Sequence, residues 1–226
     1  MQTIFLIFLL ISPIKHVELL EIQINTNQKS IFKNYSNDNF KQILNINKNV
    51  IEIKTESSNY KQLDLNFRVI PNEAYIKKLS KELKKAVYSV INGSYTLNDY
   101  MVNISNFLRK KIKYSLENIP QTPESVIVNK KAHCVGFSNL TKVLLRCIGV
   151  NSKIVQGFYL KKNKEKIIPI SHKWVEIELD NGYLYFYDPQ YQKFSSNYVV
   201  VDDSIIFSRV KKFKIKLIKY IKKMTN

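Results

Sequence analysis

The chain is poor in cysteine, glycine and arginine. Of its 226 residues, two are Cys, five Gly, six Pro and one Trp. Two cysteines cannot build a disulfide scaffold, and no CxxC pair gives zinc-ribbon spacing. So few Gly and Pro exclude a collagen-like or Gly-rich low-complexity chain. No apolar run approaches the roughly 18–20 residues of a membrane-spanning helix. Lysine, by contrast, is abundant. Basic residues number 36 against 18 acidic, a formal charge of +18. The only arginines are Arg68, Arg109, Arg146 and Arg209. Arginine is the residue that reads phosphates and base edges bidentately. No RNP-like aromatic motif or helix-turn-helix spacing accompanies the charge. A solvated basic surface is therefore the expectation, and a nucleic-acid partner is not. Apolar residues at 45% and aromatics at 12% suffice for a real core of one or two domains.

Residues 3–12, TIFLIFLLIS, form an apolar block the length of a signal-peptide h-region. Its n-region carries only the α-amine, and no A-x-A site follows. Two readings stand, a leader and a buried first strand. A leader implies export to a secreted, periplasmic or cell-surface location; a first strand leaves the protein cytoplasmic. On the leader reading the chain divides into residues 1–16 (signal peptide), 17–70 (a β-rich N-terminal region) and 71–226 (the domain carrying the chemistry).

Within 17–70, VIEIK (50–54) and LDLNFRV (63–69) alternate with period two, as strands do. The polar stretch from Lys33 to Asn49 reads as loop. After Pro71-Asn72 the period changes. Ile76, Leu79, Leu83, Ala86, Val87, Val90 and Ile91 fall at helical spacing, with Asn72 as N-cap and Gly93 as stop. A second helix starts at Thr96 and turns Met101, Ile104, Phe107, Leu108 and Ile112 inward. Thr122-Pro123 opens a short helix. Residues 132–150, AHCVGFSNLTKVLLRCIGV, read as a helix burying Phe137, Leu140, Val143, Leu144, Cys147 and Ile148, ended by Gly149. A meander follows: strand 152–160, charged turn 161–166, strand 171–179, turn 180–182 and strand 183–189. Residues 198–210 add two short extended runs. The tail KKFKIKLIKYIKK (211–223) fits either a basic edge strand or a basic amphipathic helix able to touch a membrane surface.

Cys134 lies at the start of the long helix, where orphan N–H groups and the helix dipole favour a thiolate. A cysteine nucleophile needs an imidazole to share its proton, and a group to orient that imidazole. The three histidines are His16, His133 and His172. His16 sits at the leader boundary. His133 adjoins the cysteine, and adjacent side chains at a helix start point apart. His172 remains, opening the strand SHKWVEIEL, and Asp188 closes the next strand. The hairpin register tests the pairing. A two-residue Asn181-Gly182 turn makes paired numbers sum to 363 and puts His172 and Asp188 on opposite faces. A three-residue turn with Gly182 in the left-handed position gives 362. Asp188 then lies opposite Trp174 and diagonal to His172, with backbones about 7–8 Å apart. The same register groups Val175, Ile177 and Leu179 with Tyr183, Tyr185 and Tyr187.

The blocks AHC-V-GFSNLTKVLLRCIGV, IVQGF, HKWVEIEL and FYDP together resemble the transglutaminase-like (transglutaminase core) superfamily, a circularly rearranged relative of papain-like cysteine proteases. The resemblance runs from about Tyr100 to Gln192 and includes the lead-in KIKYSLENIPQTPESVIVNKKAHC. The 38 residues from Cys134 to His172 and 16 from His172 to Asp188 suit the family. It implies an α+β fold, with helices packed on an antiparallel sheet and the β-rich extension in front. It implies Cys134 as nucleophile, His172 as general base and acid, and Asp188 as its orienting partner. Acyl transfer would run through a thioester to water or an amine, without cofactor or metal. The chain departs from the family in having Ala132 where Gly is usual two residues before the nucleophile. It also lacks the upstream tryptophan that serves the oxyanion hole in animal transglutaminases. Trp174 matches instead the tryptophan two residues after the family histidine, as core or as cleft wall. The Cys134 N–H is one oxyanion donor and Tyr114 is the candidate for the second. His133 is expected in the cleft wall. No acidic cluster suggests the animal enzymes' calcium sites.

Cys147 lies 13 residues along the same helix, about 20 Å at 1.5 Å per residue. A disulfide with Cys134, or a shared zinc with His133 and His172, is excluded if that helix is intact. Two function classes follow. One is a thiol enzyme that hydrolyses peptides or amides, or cross-links glutamine to amines, with a peptide or protein substrate. The other keeps the fold as a binding or assembly module with a basic surface. Arylamine acetyl transfer uses similar chemistry, but nothing in the chain would bind a coenzyme A phosphate specifically.

Overall fold

The computed structural model describes residues 15–26, 28–48, 50–59, 67–163, 166–179, 182–192, 194–202 and 214–225. The apolar block of the expected leader and most of LDLNFRV lie outside them.

The chain first builds a meander. β1 (Lys15–Asn25) leads through a single 3₁₀ turn to β2 (Tyr35–Ser36), β3 (Phe40–Asn47) and β4 (Val50–Asn59). β1 points Leu20, Ile22 and Ile24 inward, and β4 answers with Ile51, Ile53 and Thr55. The stretch read as loop from Lys33 to Asn49 is thus mostly strand. Its alternation was hidden because Gln42, one of the inward residues, is polar. Gln42 is buried and satisfied: Nε2 donates to the Lys33 and Val200 carbonyls at 2.7 and 2.9 Å, and Oε1 accepts from Val200 N–H at 2.9 Å.

The helices come next. α1 (Glu73–Ile76) and α2 (Lys81–Ile91) replace the single helix expected after Pro71. Asn72 does cap the first, accepting from Tyr75 N–H. The break comes at Ser80, whose extended backbone (φ −61°, ψ 160°) and side chain, accepting from Leu83 N–H, start a second helix. α3 (Leu97–Lys111) starts in a full capping box between Thr96 and Asp99. β5 (Lys113–Tyr114) follows, then α4 (Pro123–Asn129), capped by Thr122. β6 (Lys131–Ala132) pairs in parallel with β5. α5 (Cys134–Arg146) therefore begins two residues later than the sequence suggested, because Lys131 and Ala132 are committed to that ladder.

β7 (Asn151–Asn163), β8 (Lys166–Glu178), β9 (Leu184–Tyr187) and β10 (Tyr198–Val200) form an antiparallel sheet in the order β10-β7-β8-β9. The charged segment 161–166 is mostly ladder rather than turn, since Lys161 to Asn163 pair with Ile168 to Lys166. β8 and β9 pair Val175 with Tyr187 and Ile177 with Tyr185, so paired numbers sum to 362, as a three-residue turn requires. Gly182 is left-handed (φ +79°). On one face, Val175, Ile177 and Leu179 pack with Leu140, Leu144, Ile104 and Leu108 of the helices. Farther along the same alternation, Phe158 and Leu160 pack on Leu20, Ile22 and Ile53 of the first sheet. The opposite face carries Trp174 and Phe186 against Phe40, Phe194 and Tyr198. The architecture is α+β, with helices on an antiparallel sheet and strands N-terminal to them.

β11 (Lys214–Thr225) settles the tail as strand rather than helix. It pairs with β1 from Lys15↔Thr225 to Asn25↔Lys214, through a bulge, giving the order β11-β1-β4-β3-β2. The first sheet is thus built from both ends of the chain. It also grips the second. Asp38 exchanges two hydrogen bonds with Leu184, and the Asn39 side chain exchanges two with Phe186, covering the outer edge of β9.

Candidate active site

The approach to α5 fixes the thiol. Ser115 N–H donates to the Ala132 carbonyl at 2.8 Å, holding the strand that delivers the helix. Gln121 Oε1 accepts from His133 N–H at 3.0 Å, and Asn139 Nδ2 donates to the Gln121 carbonyl at 2.8 Å. Gly136 lets Gln121 lie against the helix: a Cβ there would stand 2.4 Å from Gln121 Oε1 and 2.9 Å from the Ala132 Cβ. Cys134 thereby occupies the first helical position, part-exposed, where its N–H has no partner within the helix.

His172 comes from β8 and is buried, at 3% exposed. Its Nε2 lies 2.6 Å from Asp188 Oδ2, so Nδ1 is the nitrogen left for Cys134, with which the ring also hydrogen-bonds. Burial alone would lower the imidazole's pKa. The Asp188 hydrogen bond, the Cys134 hydrogen bond and the charges of both outweigh it, and the pKa is pushed up to about 9. Trp174 stacks beneath the ring at 6.2 Å and 26°, and Tyr191 flanks it at 5.4 Å.

Asp188 stands one residue past the β9 ladder and is 0% exposed. Four donors fill its carboxylate. Oδ1 accepts the N–H groups of Gln190 at 2.8 Å and Tyr191 at 3.1 Å; Oδ2 accepts His172 Nε2 and the Tyr198 hydroxyl. A carboxylate held on both oxygens cannot rotate away from the imidazole.

The structure thus brings Cys134, His172 and Asp188 together in the order the sequence suggested. His133 does not join them. It is the N-cap of α5, its Nδ1 accepting from Val135 N–H, and burial lowers its pKa, which keeps that acceptor unprotonated. Trp174 is wholly buried, so it is core beneath His172 and not a cleft wall. Tyr114 is 49% exposed beside the thiol; burial, then the Cys134 charge, raise its hydroxyl's pKa and keep it a donor. Cys147 is fully buried at the C-cap. Sequence reasoning missed Gln121, Tyr191 and Tyr198. One signal was available. Of five glycines, Gly136 sits within a helix and Gly157 within a strand, where glycine costs about 0.5–1 kcal/mol against alanine. Each pays that cost for a close approach: a Cβ on Gly157 would stand 1.9 Å from the Val199 carbonyl oxygen and 2.7 Å from the Trp174 ring.

The family model described as the transglutaminase-like superfamily matches residues 84–189, a span that contains all three residues. No curated protein matches the chain. Among solved structures, a candidate cysteine protease from Cytophaga hutchinsonii superposes with TM-score 0.51 at 10% identity, over 94% of this chain and 90% of that one. The periplasmic domain of TgpA from Pseudomonas aeruginosa gives 0.42 at 14% identity, over 63% of this chain and 56% of that one. The first likeness is one of fold. The family match, over just under half of the chain, makes residues 84–189 similar to a transglutaminase-like core.

Proposed function

We propose that the protein is a thiol acyl-transfer enzyme, with Cys134 as nucleophile, His172 as general base and acid, and Asp188 as orienting group. The observation that carries this reading is the buried His172, held through Nε2 by Asp188 and bonded to a part-exposed cysteine at a helix start. In the first half-reaction Sγ bonds the substrate carbonyl carbon as a thiolate, its proton already held by His172. The oxyanion that forms meets the Cys134 N–H and the Tyr114 hydroxyl. The C–N bond then breaks, and the departing amine takes the proton from His172, leaving a thioester. In the second half, water gives a proton to His172 as its oxygen bonds the carbonyl carbon. The C–S bond breaks, the sulfur leaves as a thiolate beside the protonated His172, and a carboxylic acid leaves. An amine in place of water yields a new amide. Peptide or amide hydrolysis and glutamine–amine cross-linking are thus one mechanism with two acceptors, acting on a peptide or protein. The apolar block at residues 3–12 supports export to that substrate.

An activated aryl ester tests the chemistry without knowledge of the natural substrate. The acyl group should appear on the Cys134 peptide by mass spectrometry and should be absent from Cys134→Ala. Adding a primary amine then reports whether amide forms at the expense of hydrolysis. Equal acylation of the wild type and Cys134→Ala would sink the mechanism and leave a binding module with a basic surface.

A further inference from the structure

The mechanism uses His172, Asp188 and Cys134, but Asp188 has one more side-chain partner. Tyr198 is 1% exposed, and its hydroxyl donates to Asp188 Oδ2 at 2.5 Å. That oxygen also holds His172 Nε2. We propose that Tyr198 is a positioning residue, which fixes the Asp188 carboxylate and shares Oδ2 so that His172 can release its proton to the leaving group. This rests on the catalytic reading above and adds a fourth member to it.

The placement of Tyr198 is heavily determined. In the β10–β7 ladder it pairs with Tyr159. Its ring lies 4.1 Å from that of Phe194 and edge-on to Trp174 at 5.2 Å. β10 itself is held from the first sheet: Gln42 clasps Val200 through both backbone groups, and the Thr55 hydroxyl donates to the Ser196 carbonyl at 2.6 Å. The N-terminal strands therefore reach the Asp188 carboxylate through β10 and this hydroxyl.

The chemistry follows from two donors on one acceptor. Each withdraws charge from Oδ2, so each weakens the other's bond. Without the Tyr198 hydroxyl, Oδ2 would hold the imidazolium more tightly. His172 would become a poorer acid when the amine must leave, and the carboxylate would lose one of its four restraints. The groups facing the His172 ring are Cys134 from α5, Tyr159 from β7, Asp188 and Tyr191 after β9, and Tyr198 from β10. Tyr198 is itself held protonated, chiefly by burial and then by the Asp188 charge, so it stays a donor throughout the pH range of the test.

Tyr198→Phe in the full chain removes the hydroxyl and keeps the ring. NMR of ¹⁵N-histidine-labelled protein follows His172 by its titration. In the variant that titration should move up by about one pH unit. Acyl transfer from the aryl ester should fall about tenfold in kcat at unchanged KM, with unaltered thermal unfolding. A titration that stays or moves down, with kcat within twofold of wild type, overturns the proposal. Unsubstituted protein supplies a second check. A hydroxyl proton held on a buried carboxylate exchanges slowly and is visible, and fast exchange at Tyr198 contradicts the bond. His172→Ala separates this inference from the reading beneath it. If that variant acylates Cys134 as fast as wild type, the catalytic reading fails. If it does not, and Tyr198→Phe behaves as wild type, only the role of Tyr198 fails.

Discussion

α5 begins at Cys134 and has Cys147 as its C-cap, so one helix places two thiols in opposite environments. At the N-terminus the sulfur is part-exposed, near the positive end of the helix dipole, and shares a hydrogen bond with an imidazole that stays protonated to about pH 9. At the C-terminus the sulfur is wholly buried among Leu144, Ile148 and their neighbours, and burial pushes its pKa up to about 12. The thiols are chemically identical. What differs is the end of the helix and what meets it, so a cysteine's neighbours, not its presence, mark it for chemistry.

The largest way to break this contrast is Asp188→Asn. The amide cannot accept four donors, and the imidazole loses its orienting charge. Acyl transfer should fall about 10³-fold or more. The variant also tests a linkage with a definite sign. His172 has a folded pKa raised above its ordinary value, so its stabilisation is complete below about pH 6.5 and fades as pH rises through about 9. In Asp188→Asn that part of the stability profile should flatten, as thermal unfolding across pH 6 to 10 would show.

Next in size is Gly157→Ala. The new methyl would meet the Val199 backbone and the Trp174 ring. Backbone cannot yield as a flexible side chain can, so destabilisation should reach about 3 kcal/mol in denaturant unfolding. Because Gly157 pairs with both His172 and Val200, thiol reactivity at Cys134 should fall in the same variant while Cys147 stays protected.

The legible parts of the fold were local. Thr96, Thr122 and Asn72 announced helix starts by their own side chains. The turn before Tyr183 announced its register through Gly182, and with it the approach of His172 and Asp188. What escaped depended on distant partners. β3 was hidden because Gln42 is inward and polar, and its partners lie at Lys33 and Val200. The break at Ser80 was masked by an apolar spacing that continues across it. Tyr198 sits on a three-residue strand, too short to signal itself, and reaches Asp188 from a strand paired with β7 and clamped by the first sheet. Trp174 could not be assigned from its pairing alone; burial against Phe186 and Tyr198 decided it.

The smallest expected effect sharpens the comparison from the other end. Cys147→Ala removes one buried sulfur and should cost about 1–2 kcal/mol of stability through the cavity left behind. The alkylation rate of Cys134 should not change, since the two sulfurs share a helix and nothing else.

The most direct measurement is the pH dependence of iodoacetamide alkylation at both cysteines, resolved by mass spectrometry in wild type and His172→Ala. The account expects rapid labelling of Cys134 at pH 6, a loss of about tenfold or more in His172→Ala, and no labelling of Cys147 in the folded protein. Equally slow labelling of both cysteines, or Cys134 labelling indifferent to His172→Ala, would contradict it.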